Sequence, residues 1–299
     1  MDSFRWILGL SVCVSAWSAD IAKNATTPPT LRYMFPLGTT KGATLRAEML
    51  GDALKGAYAV WCETEGVHGR VEKVEANSDT ALGPLKGPGD AGEKPPAERV
   101  SIVLEIGRSA SPGLHDLRLV TPRGLSTPLQ FRVDADPALL ETEKPHADPA
   151  DAQRITLPAI LNGHIGKPGE VDYYVLQATR GQKLVFESLS AEGIRPELKL
   201  YRPGGSWLNP DRPVPLLFSE QRASILIPNI VRYTYTADAA DSYLLGIGSL
   251  YGIGGPYFAY EVRVAPASDP EPPLKPAPAQ NWQERSFERP LTARTIESA

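Results

Sequence analysis

GEVDYYVLQATRGQKLVFES, Gly169 to Ser188, is the stretch on which the fold of this chain turns. Tyr174, Leu176 and Ala178 alternate with more polar neighbours, and Leu184 and Phe186 resume the alternation after a turn at Gly181. Period two is the signature of a strand with one buried face, and two such runs across a glycine turn predict paired strands. Asp172 stands where the first run begins. An aspartate there can accept hydrogen bonds from neighbouring backbone N–H groups and fix the preceding turn, which predicts a structural role. Calcium ligation, with Glu170, Asp211 or Asp238, is the alternative, although these residues are too sparse in sequence for the roughly six or more oxygens calcium prefers. Catalysis is a third, with no second carboxylate nearby for paired acid–base work. Gly181, in the turn, and Tyr243, on the inward face of a later strand, are assigned structural roles with Asp172.

The same alternation extends outward in both directions. Upstream, ATLRAEML places Leu45, Ala47 and Met49 on one face, RVSIVLEI does so with Val100, Ile102, Leu104 and Ile106, and LQFRV with Leu129, Phe131 and Val133. Turn signals PLG, SPG and TPRG separate these runs, and a Gly/Pro-rich polar segment, residues 81–98, predicts a long exposed loop. Downstream, ELKLY, SYLLGIG and AYEVRV supply Leu198, Leu200, Tyr243, Leu245, Tyr260, Val262 and Val264 to an inner face. Between the two sets, residues 135–152 lose the alternation to charge and proline, which predicts a linker. The expected organisation is a signal peptide over 1–19, a first unit over 28–134, the linker, a second unit over 153–266, and a Pro-rich, disordered tail over 267–299. Many short strands without a helical period predict an all-β protein of two β-sandwiches.

The chain has 299 residues, enough for two ordinary domains, and a net charge of -4 that excludes the basic face of a nucleic-acid binder. Its 29 prolines disfavour helix. Arg5, the apolar run Trp6 to Ala16 and the small residues that follow predict export and cleavage between Ala16 and Ala19, giving a periplasmic or secreted protein. The apolar run is too short for a membrane anchor, so none is expected in the mature chain. Cleavage would remove Cys13 and leave Cys62 as the sole thiol, a small apolar strand residue.

Asn162, Gly163, Asp172, Tyr174, Gly181, Leu184, Leu198, Leu200, Gly205, Tyr243 and Tyr260 stand in the order of an N-G opening, a D-x-[YF] strand, a G-[QD]-x-L strand, an L-x-L-[YF]-x-x-x-G strand and a final tyrosine-bearing pair. In this the second unit resembles the bacterial pre-peptidase C-terminal domain. Ser242 departs from the glycine usual before the late tyrosine, and Asp211 is what remains of an acidic pair. The first unit, with PPTLRYMFPLGTTKGATLRAEMLGDALKGAYAVWC and SPGLHDLRLVTPRGLSTPLQFRV, resembles an IPT/TIG immunoglobulin-like domain. The resemblance implies an immunoglobulin-like sandwich followed by a jelly-roll-like one, in an exported protein that accompanies or binds something, and implies no reaction.

Catalytic motifs point the same way. His68, His115, His146 and His164 are scattered without the close spacing of zinc ligands, so no metal or cofactor is expected. RGLST and GGSWL do not satisfy G-x-S-x-G, and GIGG has no lysine or helix start after it. Trp207, Tyr251, Tyr257 and Phe258 lie in or beside Gly/Pro turns, where aromatic side chains can stack on sugars or anchor a protein. They can equally cap the open ends of a sandwich core. The expected function is a non-enzymatic exported module recognising a protein or polysaccharide outside the cytoplasm. The alternatives are a calcium-dependent targeting module associated with a secreted peptidase and a hydrolase with an unrecognised site.

Overall fold

The alternating runs become strands paired so that their apolar faces meet. The computed structural model describes residues 27–78, 94–142, 146–190, 196–201, 215–218 and 230–268. The predicted signal peptide, most of the 81–98 loop, Trp207, Gly205, Asp211 and nearly all of the 267–299 tail lie outside the described residues. No helix among the described residues is long and apolar enough to cross a membrane.

The first sandwich contains β1 (Thr30–Phe35), β2 (Gly38–Thr40), β3 (Thr44–Asp52), β4 (Ala59–Cys62), β5 (Val67–Ala76), β6 (Glu98–Ile106), β7 (Gly113–Thr121), β8 (Gly124–Leu125) and β9 (Leu129–Asp134). One sheet has the order β1-β3-β6-β5 and the other β2-β9-β7-β4, with β8 paired to β7. This is the two-sheet division of an immunoglobulin-like sandwich. Leu45 lies across from Leu104, Ala47 from Ile102 and Met49 from Val100, so the inward faces read from sequence are cross-strand partners. Cys62, a free thiol in β4, is half-buried against the core.

The second sandwich contains β10 (Ala138–Leu140), β11 (Gln153–Arg154), β12 (Ala159–His164), β13 (Val171–Ala178), β14 (Lys183–Ser190), β15 (Pro196–Tyr201), β16 (Pro215–Phe218), β17 (Ile230–Thr236), β18 (Asp241–Ser249) and β19 (Ala259–Pro266). Its sheets run β10-β12-β19-β14-β17 and β11-β13-β18-β15-β16. From β12 to β15, and again from β16 to β19, successive strands alternate between the sheets in the manner of a jelly roll, which satisfies the expected fold class. The turn between β13 and β14 places Gly181 at φ 81°, and its N–H donates to Ala237 O at 2.7 Å. Such a φ suits glycine.

The linker expected over 135–152 is corrected by β10, which pairs in parallel with β12 and adds a strand to the second sandwich. Three residues among charges and prolines are too few to show a period. Nor do the sandwiches stand apart. Gly38 of β2 packs so closely on β12 and β19 that an added Cβ would lie 2.9 Å from both Glu261 Cγ and Ile160 Cγ2.

Candidate functional site

The junction of the sandwiches gathers aromatic side chains from three separate parts of the chain. Tyr33 and Phe35 come from β1, His164 from the end of β12 and Tyr257 from the turn before β19. Tyr33 meets Tyr257 edge-on with ring centroids 5.7 Å apart, and Phe35 tilts onto His164 at 3.9 Å. These rings form one wall of a cleft of about 540 Å³. Its other side, from β3, β5 and β6, carries Arg46, Glu48, Glu72 and Arg99. Arg46 pairs with Glu72 at 2.7 Å, and Arg99 pairs with Glu48. The cleft therefore sets aromatic side chains opposite paired charged groups.

Behind the aromatic wall runs a buried polar network. His164 Nδ1 faces Glu141 Oε1 at 2.8 Å, and a proton there leaves Nε2 to accept from the Tyr33 hydroxyl at 2.6 Å. Tyr260 donates to Asp172 Oδ2 at 2.8 Å and accepts from Tyr174, also at 2.8 Å. His146 Nε2 reaches Tyr174 Oη at 3.3 Å and lies 3.8 Å from Asp172 Oδ1. Burial drives the Asp172 carboxyl up to about 7, against the lowering effect of the Tyr260 hydrogen bond. Burial likewise raises the phenols of Tyr33, Tyr174 and Tyr260.

A second network locks the same junction with charge. Arg132 of β9 directs Nε to both carboxylate oxygens of Glu261, each at 3.0 Å, and Nη1 to Glu187 Oε2 at 2.9 Å. Glu187 also accepts from Arg232 Nε at 2.7 Å, and Arg263 donates to Asp136 at 2.7 Å. Arg132, Glu187 and Glu261 are all buried. Asn162 completes the junction: its Oδ1 accepts from the N–H groups of Leu37 (2.9 Å) and Gly38 (2.8 Å), and its Nδ2 donates to Gly38 O.

The four aromatic residues singled out as ligand contacts have different fates. Tyr257 lines the cleft and hydrogen-bonds through its hydroxyl to Asn77 Nδ2. Tyr251 is 62% exposed in the turn after β18, away from the cleft. Phe258 takes the alternative of a core position: its ring is buried where the chain enters β19. Trp207 lies outside the described residues.

Asp172 does not cap the turn before β13. Its hydrogen-bond donor is the Tyr260 hydroxyl, because the side chain points into the sandwich and away from the preceding turn. Of the companions named with it, Glu170 accepts from Lys167 N, Asp238 accepts from the hydroxyls of Tyr235 and Tyr243, and Asp211 lies outside the described residues. Tyr243 is fully buried. The histidines judged scattered are not all apart in space, since folding brings His146 to Glu141 and Asp172 and places His164 on Glu141. The cleft residues Tyr33, Phe35, Arg46, Glu48, Glu72 and Arg99 carry no sequence signal as a set. They belong to strands whose alternation marks only which residues face inward.

No protein-family model matches the chain, and no curated protein does. Among solved structures it is similar to the pre-peptidase C-terminal domain of a collagenase from Bacillus anthracis, at 18% identity and a TM-score of 0.29, covering 38% of this chain and 93% of that one. It is similar to SGBP-B of the mixed-linkage glucan utilization locus of Bacteroides ovatus, solved with a mixed-linkage heptasaccharide, at 9% identity and a TM-score of 0.22, covering 77% and 72%. It is also similar to the secreted serine protease VesC of Vibrio cholerae, at 10% identity and a TM-score of 0.25, covering 83% and 52%. TM-scores this low carry no inference about what this chain binds or does.

Proposed function

We propose that the chain is a non-catalytic binding module, exported to the periplasm or the medium, whose junction cleft takes a polysaccharide. The observation that carries this reading is the cleft itself, with Tyr33, Phe35 and Tyr257 on one side and Arg46, Glu48, Glu72 and Arg99 on the other. A sugar ring presents apolar C–H faces that stack on aromatic rings and hydroxyls that bond to charged side chains, so a site for it needs both. Glu48 and Glu72 each face an arginine. That arrangement suits holding hydroxyls in a fixed frame better than transferring a proton. Export is part of the same reading and is supported by Arg5 and the apolar run after it. So are the pre-peptidase C-terminal-like second sandwich, supported by the ordered motif from Asn162 to Tyr260, and the IPT/TIG-like first one.

Affinity electrophoresis of the full chain in gels containing a panel of soluble polysaccharides tests the reading. At least one should retard the wild type. Arg46 has a side chain 74% exposed, so Arg46→Ala should leave the melting temperature unchanged. The same substitution should weaken retention roughly tenfold, equivalent to about 1.4 kcal/mol of binding. Tyr257→Ala should weaken it further, and Tyr251→Ala should not. A wild type retarded by nothing in the panel, or an Arg46→Ala variant retarded as strongly, would sink the assignment.

A further inference from the structure

We propose that Glu141, His146 and Asp172 form a binding site for a divalent transition-metal ion, with zinc the best fit. The site does not depend on which ligand the cleft takes. A ligand atom from each residue lies within 4.8 Å of the other two. His146 and Asp172 are 5% and 3% exposed, so this is an interior cluster and not a solvated acidic surface.

Charge balance is the first observation that points to a cation. Elsewhere in the junction the buried Glu187 and Glu261 are each met by arginine. Among the described residues, Asp172 and Glu141 form ion pairs only with imidazoles, His146 at 3.8 Å and His164 at 2.8 Å, and with no lysine or arginine. A buried carboxylate without a cation is costly, and a divalent ion between the two supplies what is missing.

The second observation is His146 itself. This buried imidazole aims Nε2 into the cluster, where its hydrogen-bond partner is the Tyr174 hydroxyl at a long 3.3 Å. A nitrogen with so weak a bond is well placed to take a metal.

The donor set selects the ion. One imidazole with two carboxylates suits zinc, at bond lengths of about 2.0–2.2 Å and with a water in the fourth place. Calcium and magnesium prefer oxygen ligands and more of them. The ligands also have the hydrogen bonds that fix such groups in place: Glu141 accepts from His164 N and Nδ1, and Asp172 from the Tyr260 hydroxyl.

The test strips the full chain with chelator and titrates it with zinc chloride alone, by calorimetry. Cobalt(II) absorption serves as a second reading, because a low-coordinate site with a nitrogen ligand gives intense visible bands and hexaaqua cobalt does not. One zinc should bind per chain and raise the melting temperature. His146→Gln and Asp172→Asn should each weaken binding by roughly tenfold or more. His68→Gln, which removes an exposed histidine of β5, should not. If neither cluster variant folds, the wild-type cobalt spectrum decides. Wild-type affinity equal to that of His146→Gln, calcium bound as tightly as zinc, or a cobalt spectrum identical to that of the free ion would each overturn the proposal.

Discussion

Asn162 fastens the two sandwiches with a single amide. Its Oδ1 satisfies the N–H groups of Leu37 and Gly38 where the first sandwich turns into β2, and the amide is buried. Asn162→Ala therefore orphans two buried donors at about 1–3 kcal/mol each, and we expect a loss of about 2–4 kcal/mol in urea unfolding. Asn162→Asp keeps the acceptor and should cost less. If the alanine variant unfolds at the wild-type midpoint, the amide is not a fastener. In sequence Asn162 was legible as the opening of the second unit's motif, but its partners lie 125 and 124 residues away. Asp172 has the same character, since its position at the start of β13 could be read and its partner Tyr260, on the last strand, could not. Phe258 could be read either way, because a turn-flanking aromatic looks alike whether its ring faces solvent or core.

At the scale of elements, strands with one face in water declared themselves. β13 alternates as read, with Asp172, Tyr174, Leu176 and Ala178 buried. β14 does not, because it is covered on both faces and every residue from Leu184 to Ser190 is buried, Glu187 and Ser188 included. On its outer face Glu187 is covered by Arg132 of the other sandwich, which no local pattern announces. The turn from β17 to β18 depends on Tyr243, whose hydroxyl lies 3.1 Å from Asp238 Oδ1 and 3.0 Å from Ala239 O and accepts from Ala239 N at 3.1 Å. Tyr243→Phe keeps the ring in the core and removes only these bonds. It should lower stability by about 1–2 kcal/mol in thermal or urea melts. Combined with Asp238→Ala the loss should be less than additive, since the two groups share a bond. Strict additivity would remove the hydroxyl from the account of this turn.

For the molecule as a whole, the separation into two units read from the charged, proline-bearing stretch before β11 describes the chain and not its packing. Arg132 falls between Phe131 and Val133, which were read as inward-facing. It is buried because its partners Glu187 and Glu261, 55 and 129 residues further on, come from the second sandwich. That placement makes the junction sensitive to pH. Glu261 has no exposed surface and is flanked by Arg132, Glu187 and Arg263. Burial outweighs the two arginines and lifts its carboxyl from 4.5 to about 7. A carboxyl whose folded value is raised binds more protons folded than unfolded between those limits, so its contribution to stability is greatest below pH 4.5 and declines as pH rises towards 7. The decline attributable to Glu261 is at most about 3 kcal/mol. Glu261→Gln cannot ionise and should flatten the fall in melting temperature between pH 5 and 7.5, measured against the wild type in the same buffers. A wild type whose melting temperature rises over that interval, in parallel with Glu261→Gln, would show that the arginines hold Glu261 ionised in the folded protein. The junction would then be an ordinary buried ion pair, with no stability lost towards neutral pH.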